Sequence, residues 1–329
     1  MGLPDVDFLA VVSRPDFPSG MGPVGDYFNL RSFIGRHPEW RSVVLELNSP
    51  TTQVDWSDGR FLVRTGSSGW FDVSDVRTAL FIPICLEVEE TVLGCPATTG
   101  RWPHFAAQQW RPISAAFEAS LDSLSFPQRC LNHPAAVRMT NNKLLQFQTL
   151  SAAGFKLPAT RVLGRFPEAG LFADADQLVS KNVSEGGWRS PTEFSPARIV
   201  GRGEQGEVWP TMWQQPIEGD TEIRCYVTGD DVTVVELCKE AGVLDVRSAH
   251  GGRPAGTIVE ISESWAQSLV AMTRCLGLDY AVIDAIPTGD VLQVLEVNAN
   301  GVWWFLPTDV GQVLEDKFHR WIEAAVNEA

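Results

Sequence analysis

Two β-branched runs near the C-terminus, Y-A-V-I-D-A-I-P (280–287) and V-L-Q-V-L-E-V-N (291–298), are separated only by T-G-D. Runs of this kind around a short Gly-Asp turn specify an antiparallel hairpin. On the second run Glu296, Asn298 and Asn300 recur every two residues, which places all three on one face of a strand. With the turn centred near Gly289 or Asp290, Asp284 lies opposite or diagonal to Glu296, and same-face side chains across a hairpin stand roughly 5–8 Å apart. Two carboxylates and a neutral amide form an all-oxygen donor set. That set suits a hard cation such as Mg²⁺, whose other ligands are waters or phosphate oxygens. The hairpin therefore predicts a metal site built from Asp284, Glu296 and Asn298.

Magnesium bound this way calls for phosphate, and phosphate calls for cations. Lys143 stands near the start of a helix predicted over T-N-N-K-L-L-Q-F-Q-T-L-S-A-A, with Thr140 or Asn141 as N-cap, an apolar face, and Gly154 as stop. Lys181 ends the apolar strand D-Q-L-V-S-K, and the glycine pair Gly186-Gly187 follows in the loop S-E-G-G-W-R-S. A lysine leaving a buried strand beside a glycine loop can hold a phosphate while backbone amides wrap the rest. Only 26 residues are Lys or Arg, against 41 Asp and Glu, so the position of each cation is informative.

The remaining sequence sets bounds. At 329 residues the chain is long enough for two or three subdomains. The formal charge of −15 argues against a nucleic-acid surface. No apolar run reaches the roughly 18 residues of a membrane helix, and no signal peptide is evident, so the expected compartment is the cytoplasm. Six cysteines without a C-x-x-C pair read as reduced thiols rather than a disulfide or zinc framework. Residues 5–121 read as a first α/β region, joined by the linker Q-R-C-L-N-H-P to the helix that carries Lys143. T-E-I-R-C-Y-V-T-G-D-D-V-T-V-V-E-L reads as a hairpin about Gly229 and Asp230. Helices are expected over 264–276 and 310–325. The mixed order predicts α+β subdomains around a cleft.

The order N-N-K, V-S-K with G-G, Q-Q-P-I, T-E-I-R, D-V-R, Y-A-V-I-D and L-E-V-N-A-N-G resembles the ATP-grasp carboxylate–amine ligases, over about 130–307. Within that superfamily, L-N-H-P-A-A-V-R-M-T-N-N-K-L-L-Q and V-W-P-T-M-W-Q-Q-P-I-E-G-D-T-E-I-R are most similar to the microviridin-type peptide ligases (graspetide synthetases), relatives of the ligase that adds glutamate to a ribosomal protein. The resemblance implies an ATP-grasp fold: an N-terminal α/β domain (1–130), a central subdomain with a glycine-rich lid (131–215), and a C-terminal subdomain with the magnesium site (216–329). It implies ATP and Mg²⁺. Lys143, Lys181, Gly186 and Gly187 would hold phosphates, Gln214, Gln215 and Ile217 would line the adenine, and Glu222 would take the ribose. Arg224 and Arg247 would act near the γ-phosphate and the acyl-phosphate. The chain departs from the pattern in two places: Q-Q-P-I stands where many members carry a glutamate, and Ala299 replaces the proline of N-P-N-G.

What the resemblance implies is ATP-dependent joining of a carboxylate to an amine or hydroxyl. The product would be a side-chain cross-link in a ribosomally made precursor peptide. A small-molecule amino acid or dipeptide ligase, and a non-catalytic nucleotide-binding protein, stay open beside it. The implied partner is a precursor peptide, or a small carboxylate and amine, with no nucleic acid and no membrane; a homodimer stays open.

Overall fold

The computed structural model describes residues 5–13, 28–47, 52–57, 60–66, 68–82, 115–121, 129–163, 172, 176–183, 188–190, 193–194, 197–201, 210–217, 219, 221–237, 256–303 and 305–329. The chain divides into two compact units, residues 1–137 with 315–329, and residues 138–314.

In the first unit, β1 (Val6–Ser13), α1 (Leu30–Gly35) and β2 (Ser42–Leu47) are followed by three short strands, β3 (Gln53–Ser57), β4 (Arg60–Arg64) and β5 (Phe71–Asp72), and then by β6 (Val76–Phe81) and β7 (Arg129–Leu131). β2, β1, β6 and β7 form one parallel sheet in that order. β1 is a near-continuous run of buried residues, as expected of a strand covered on both faces. The segment read as a linker, Q-R-C-L-N-H-P, in fact supplies β7 and, from Pro134, the first turn of α3 (Pro134–Asn141). Cys130 and Leu131 are buried, so packing overrode the turn-forming composition of that segment. Residues 115–121 form α2, between β6 and β7 in the chain.

Among the described residues, the second unit holds two larger antiparallel sheets and one two-stranded hairpin. α4 (Lys143–Ala152) precedes β8 (Thr160–Leu163), β9 (Gln177–Lys181), the small hairpin β10–β11 (Trp188–Ser190, Glu193–Phe194), β12 (Arg198–Gly201) and β13 (Thr211–Gln214). Strands β12, β9, β13 and β8 form one sheet. β14 (Glu222–Thr228), β15 (Asp231–Leu237) and β16 (Gly256–Val259) precede α5 (Glu263–Cys275), β17 (Tyr280–Thr288) and β18 (Val291–Asn298). The second sheet has the order β16-β15-β14-β17-β18, and α5 packs on it. α6 (Thr308–Glu328) runs from the second unit into residues assigned to the first.

Local chemistry accounts for the boundaries. α4 is capped by Asn142, one residue beyond the expected caps, because α3 uses 140 and 141; its Oδ1 accepts from the backbone N–H of Leu144 and Leu145 at 3.1 and 3.2 Å. The helix closes at Gly154, φ +87°, with Phe155 N–H donating to Leu150 O and Gly154 N–H to Ser151 O. α5 ends the same way at Gly277. The face of α4 turned inward is Gln146, Phe147 and Leu150, whereas Leu144 and Leu145 are 43 % and 44 % exposed. The apolar face read from the sequence is thus displaced, with a glutamine inside and two leucines outside.

Candidate active site

One row of side chains crosses the five-stranded sheet. Arg224 on β14 pairs with Asp284 on β17, and Asp284 pairs with Glu296 on β18. That last pairing depends on a bulge. Thr288 through Ala285 face Val291 through Val294 in sequence, but Asp284 then faces Glu296, leaving Leu295 unpaired. With an unbroken ladder Asp284 would face Leu295 and Glu296 would face Ile283, placing the two carboxylates on opposite sides of the sheet. The bulge returns Glu296 to the face of Asp284. Asn298 lies on that face two residues on, and its Nδ2 donates to Asp284 Oδ2 at 3.2 Å and Glu296 Oε1 at 3.3 Å. The three residues expected to hold a metal therefore meet. The strand ends at Asn298, so Asn300 sits in the following turn rather than continuing the face.

Cations compensate both carboxylates. Lys143 Nζ lies 3.0 Å from Glu296 Oε2, each side chain 15 % exposed. Arg224 donates from one Nη to both Asp284 oxygens at 2.7 and 2.8 Å and from Nε to the Tyr226 hydroxyl at 3.1 Å. Its guanidinium lies 5.2 Å from the Phe305 ring centre and 5.8 Å from that of Tyr226. Burial works against its charge, yet Asp284 and then Tyr226 outweigh it and its pKa rises. Burial likewise pushes the Tyr226 hydroxyl up to about 12. Lys181, at the end of β9, has its pKa lowered, chiefly by burial. Glu296 opposes that shift, Lys143 adds to it, and Glu222 and Asp284 oppose it more weakly. Lys181 is therefore a second amine within the field of the same carboxylates.

The other expected residues divide. Gln214 is buried at the end of β13, its Nε2 donating to Thr160 Oγ1 at 3.1 Å. Gln215 is exposed and Ile217 half-buried in the segment that follows it. Glu222 opens β14 on the face of Arg224, buried. Gly186, Gly187 and Arg247 lie outside the described residues. One residue escaped the sequence reading: Gln146, whose side-chain amide is hydrogen-bonded to both backbone groups of Val297. A polar residue on the buried stripe of α4, one turn after Lys143, was the available signal.

Asp284, Glu296 and Asn298 offer hard oxygen donors on one face, and they fit a divalent cation bound together with a polyphosphate. Among the described residues no group of three or more His, Cys, Asp or Glu competes for a metal. No helix of the described residues is long and apolar enough to cross a membrane.

The fold is the ATP-grasp fold. A macrocyclase of Microcystis aeruginosa, solved with its precursor peptide, superposes with a TM-score of 0.71 at 17 % identity, over 96 % of this chain and 99 % of that one. An ATP-grasp ligase of Chryseobacterium gregarium associated with ribosomally synthesised, modified peptides (RiPPs), solved with ADP and leader and core peptides, gives 0.70 at 16 % identity, over 98 % and 97 %. A D-alanine–D-alanine ligase of Bacillus anthracis gives 0.56 at 13 %, over 97 % and 96 %. By sequence, the chain is similar to a probable alpha-L-glutamate ligase of Mannheimia succiniciproducens, 31 % identical over 184 residues. That match takes in 52 % of this chain and spans 59 % of the relative's length. No protein-family profile matches the chain.

Proposed function

We propose that the chain is an ATP-dependent ligase that activates a carboxylate as an acyl-phosphate and passes the acyl group to an amine or hydroxyl within a precursor peptide. The observation that carries this reading is the single face on which Asp284, Glu296 and Asn298 meet, with Lys143 at 3.0 Å from Glu296 and Lys181 in the same field. A carboxylate is a poor acyl donor. Its oxygen attacks the γ-phosphorus, the bond to the β-phosphate oxygen breaks, and ADP leaves. The amine or hydroxyl then attacks the acyl carbon, loses its proton, and expels phosphate.

Magnesium, when bound at Asp284, Glu296 and Asn298, supplies charge neutralisation for the polyphosphate. Lys143 and Lys181 hold phosphate oxygens, and Arg224 keeps the Asp284 carboxylate in place through its two short hydrogen bonds. Gln214 to Ile217 and Glu222 line the nucleoside, and Gly186, Gly187 and Arg247 serve the lid and the acyl-phosphate. The structures of a macrocyclase solved with its precursor peptide, and of an ATP-grasp ligase solved with a variant of its minimal precursor, Mg and ADP, support the peptide as substrate. A second reading, transfer of a free amino acid onto a protein, draws on the likeness to a ribosomal protein bS6–L-glutamate ligase of Shigella boydii, 24 % identical over 202 residues.

The test is mass spectrometry of short acidic peptides after incubation with the protein, ATP and Mg²⁺ in the presence of free amino acids. Loss of water from the peptide with one ADP and one phosphate per bond is expected. Mass gain by an added amino acid selects the second reading, and AMP with pyrophosphate overturns acyl-phosphate chemistry in both.

A further inference from the structure

We propose that Gln146 is a positioning residue that sets the geometry of the two strand ligands, Glu296 and Asn298, by gripping the residue between them. β18 is the edge strand of its sheet, with β17 on one side only. On the other side the Gln146 side chain acts as a one-residue partner strand. Val297 N–H donates to Gln146 Oε1 at 2.9 Å, and Gln146 Nε2 donates to Val297 O at 2.7 Å. The first bond holds the peptide plane that joins Glu296 to Val297, and the second holds the plane that joins Val297 to Asn298. Both planes that carry the ligands are thus fixed by one amide. Gln146 is itself anchored: it is 1 % exposed, and Nε2 also donates to Thr140 O at 2.8 Å.

The strand needs this support because the Leu295 bulge sits one residue before Glu296, where the ladder to β17 is interrupted. Upstream, Lys156 O accepts from Val294 N–H at 3.2 Å, so the open edge is held on both sides of the bulge. Gln146 also lies one turn after Lys143, whose amine meets Glu296. The first turn of α4 therefore holds consecutive residues of β18, one through a charge and one through the backbone. A contact that orients a metal ligand typically changes metal affinity ten- to a hundredfold when removed.

The inference rests on the proposed metal site, and the experiment separates the two. The half-saturating Mg²⁺ concentration for ADP binding is measured by calorimetry, with adenosine affinity as a metal-independent control. The variants are Gln146→Met, which keeps length and removes both hydrogen bonds to Val297 and the one to Thr140, and Gln146→Glu, which keeps the acceptor for Val297 N–H and loses the donor to Val297 O and Thr140 O at neutral pH. Roughly a tenfold rise in the Mg²⁺ requirement is expected for Gln146→Met, with adenosine affinity unchanged, and a smaller rise for Gln146→Glu. If Gln146→Met does not fold, Gln146→Glu decides by the same two measurements. An unchanged Mg²⁺ requirement in a folded variant, beside a large rise in Glu296→Gln, overturns the role of Gln146 and leaves the metal site standing. Parallel loss of adenosine and Mg²⁺ affinity overturns it too, as general loosening. No rise even in Glu296→Gln overturns the metal site itself.

Discussion

Glu296 carries two demands, since Lys143 approaches one of its oxygens and Asn298 the other. Glu296→Gln keeps shape and an oxygen acceptor but removes the negative charge that holds Mg²⁺ against its hydration. The variant is expected to fold and to lose ligation, with the Mg²⁺ requirement for ADP binding strongly raised; near-normal turnover in a folded variant contradicts the site. If Lys181 holds phosphate as proposed, Lys181→Ala removes a charge-assisted contact of about 1.5–3 kcal/mol. Calorimetry is expected to show ADP affinity falling roughly ten- to a hundredfold at little cost in melting temperature. Affinity equal to the parent's would assign Lys181 to structure alone. Glu296 and Asn298 were legible as a pair because period-two spacing within one strand needs no tertiary information, and Asp284 was legible as their neighbour across the turn, though the bulge that aligns it was not. Gln146 was not, because its partner is a backbone group 151 residues away.

At the scale of elements, the final hairpin shows what its glycines do. Gly289 takes φ +60° in the two-residue turn, as the Thr-Gly-Asp spacing predicts. Gly301 is needed for a different reason: a Cβ there would lie 2.4 Å from the Val282 Cβ, and Tyr280 donates its hydroxyl to the Gly301 carbonyl. Closing that gap displaces β17, the strand that carries Asp284. Gly301→Ala is expected to cost on the order of 1–3 kcal/mol by overpacking, read as a lower denaturant midpoint with an unchanged slope. A stability equal to the parent's would show that the turn relaxes freely. The N-A-N-G glycine was readable as a motif, but its cause, a close approach to β17, was not. Helix caps, by contrast, were readable to within a residue or two because they are local.

For the molecule as a whole, stability should depend on pH through His319 in the first unit. Its Nε2 donates to Phe28 O at 2.8 Å, and its Nδ1 accepts from Arg36 at 2.8 Å, so the ring is held neutral. Burial lowers its pKa, the Phe28 carbonyl, Glu315 and Asp316 oppose that shift, and Arg36 adds to it. A lowered folded pKa means the unfolded chain binds more protons. The contribution is therefore complete above the unfolded value of about 6.5 and is lost as pH falls from there toward the folded value. The difference in melting temperature between the parent and His319→Gln is expected to shrink from pH 7 to pH 5, and a constant difference refutes the assignment. By itself the sequence determined which segments pair in local hairpins, where α4, α5 and α6 start and stop to within a few residues, and which residue types could hold magnesium and phosphate, since these come from spacing and turn chemistry within a few residues. Only the tertiary structure showed how Asp284 and Glu296 come to share a face. The Leu295 bulge that aligns them, and the Gln146 grip that braces the strand beyond it, arise from pairing between distant segments, and one unpaired residue is enough to reverse which way every later side chain points.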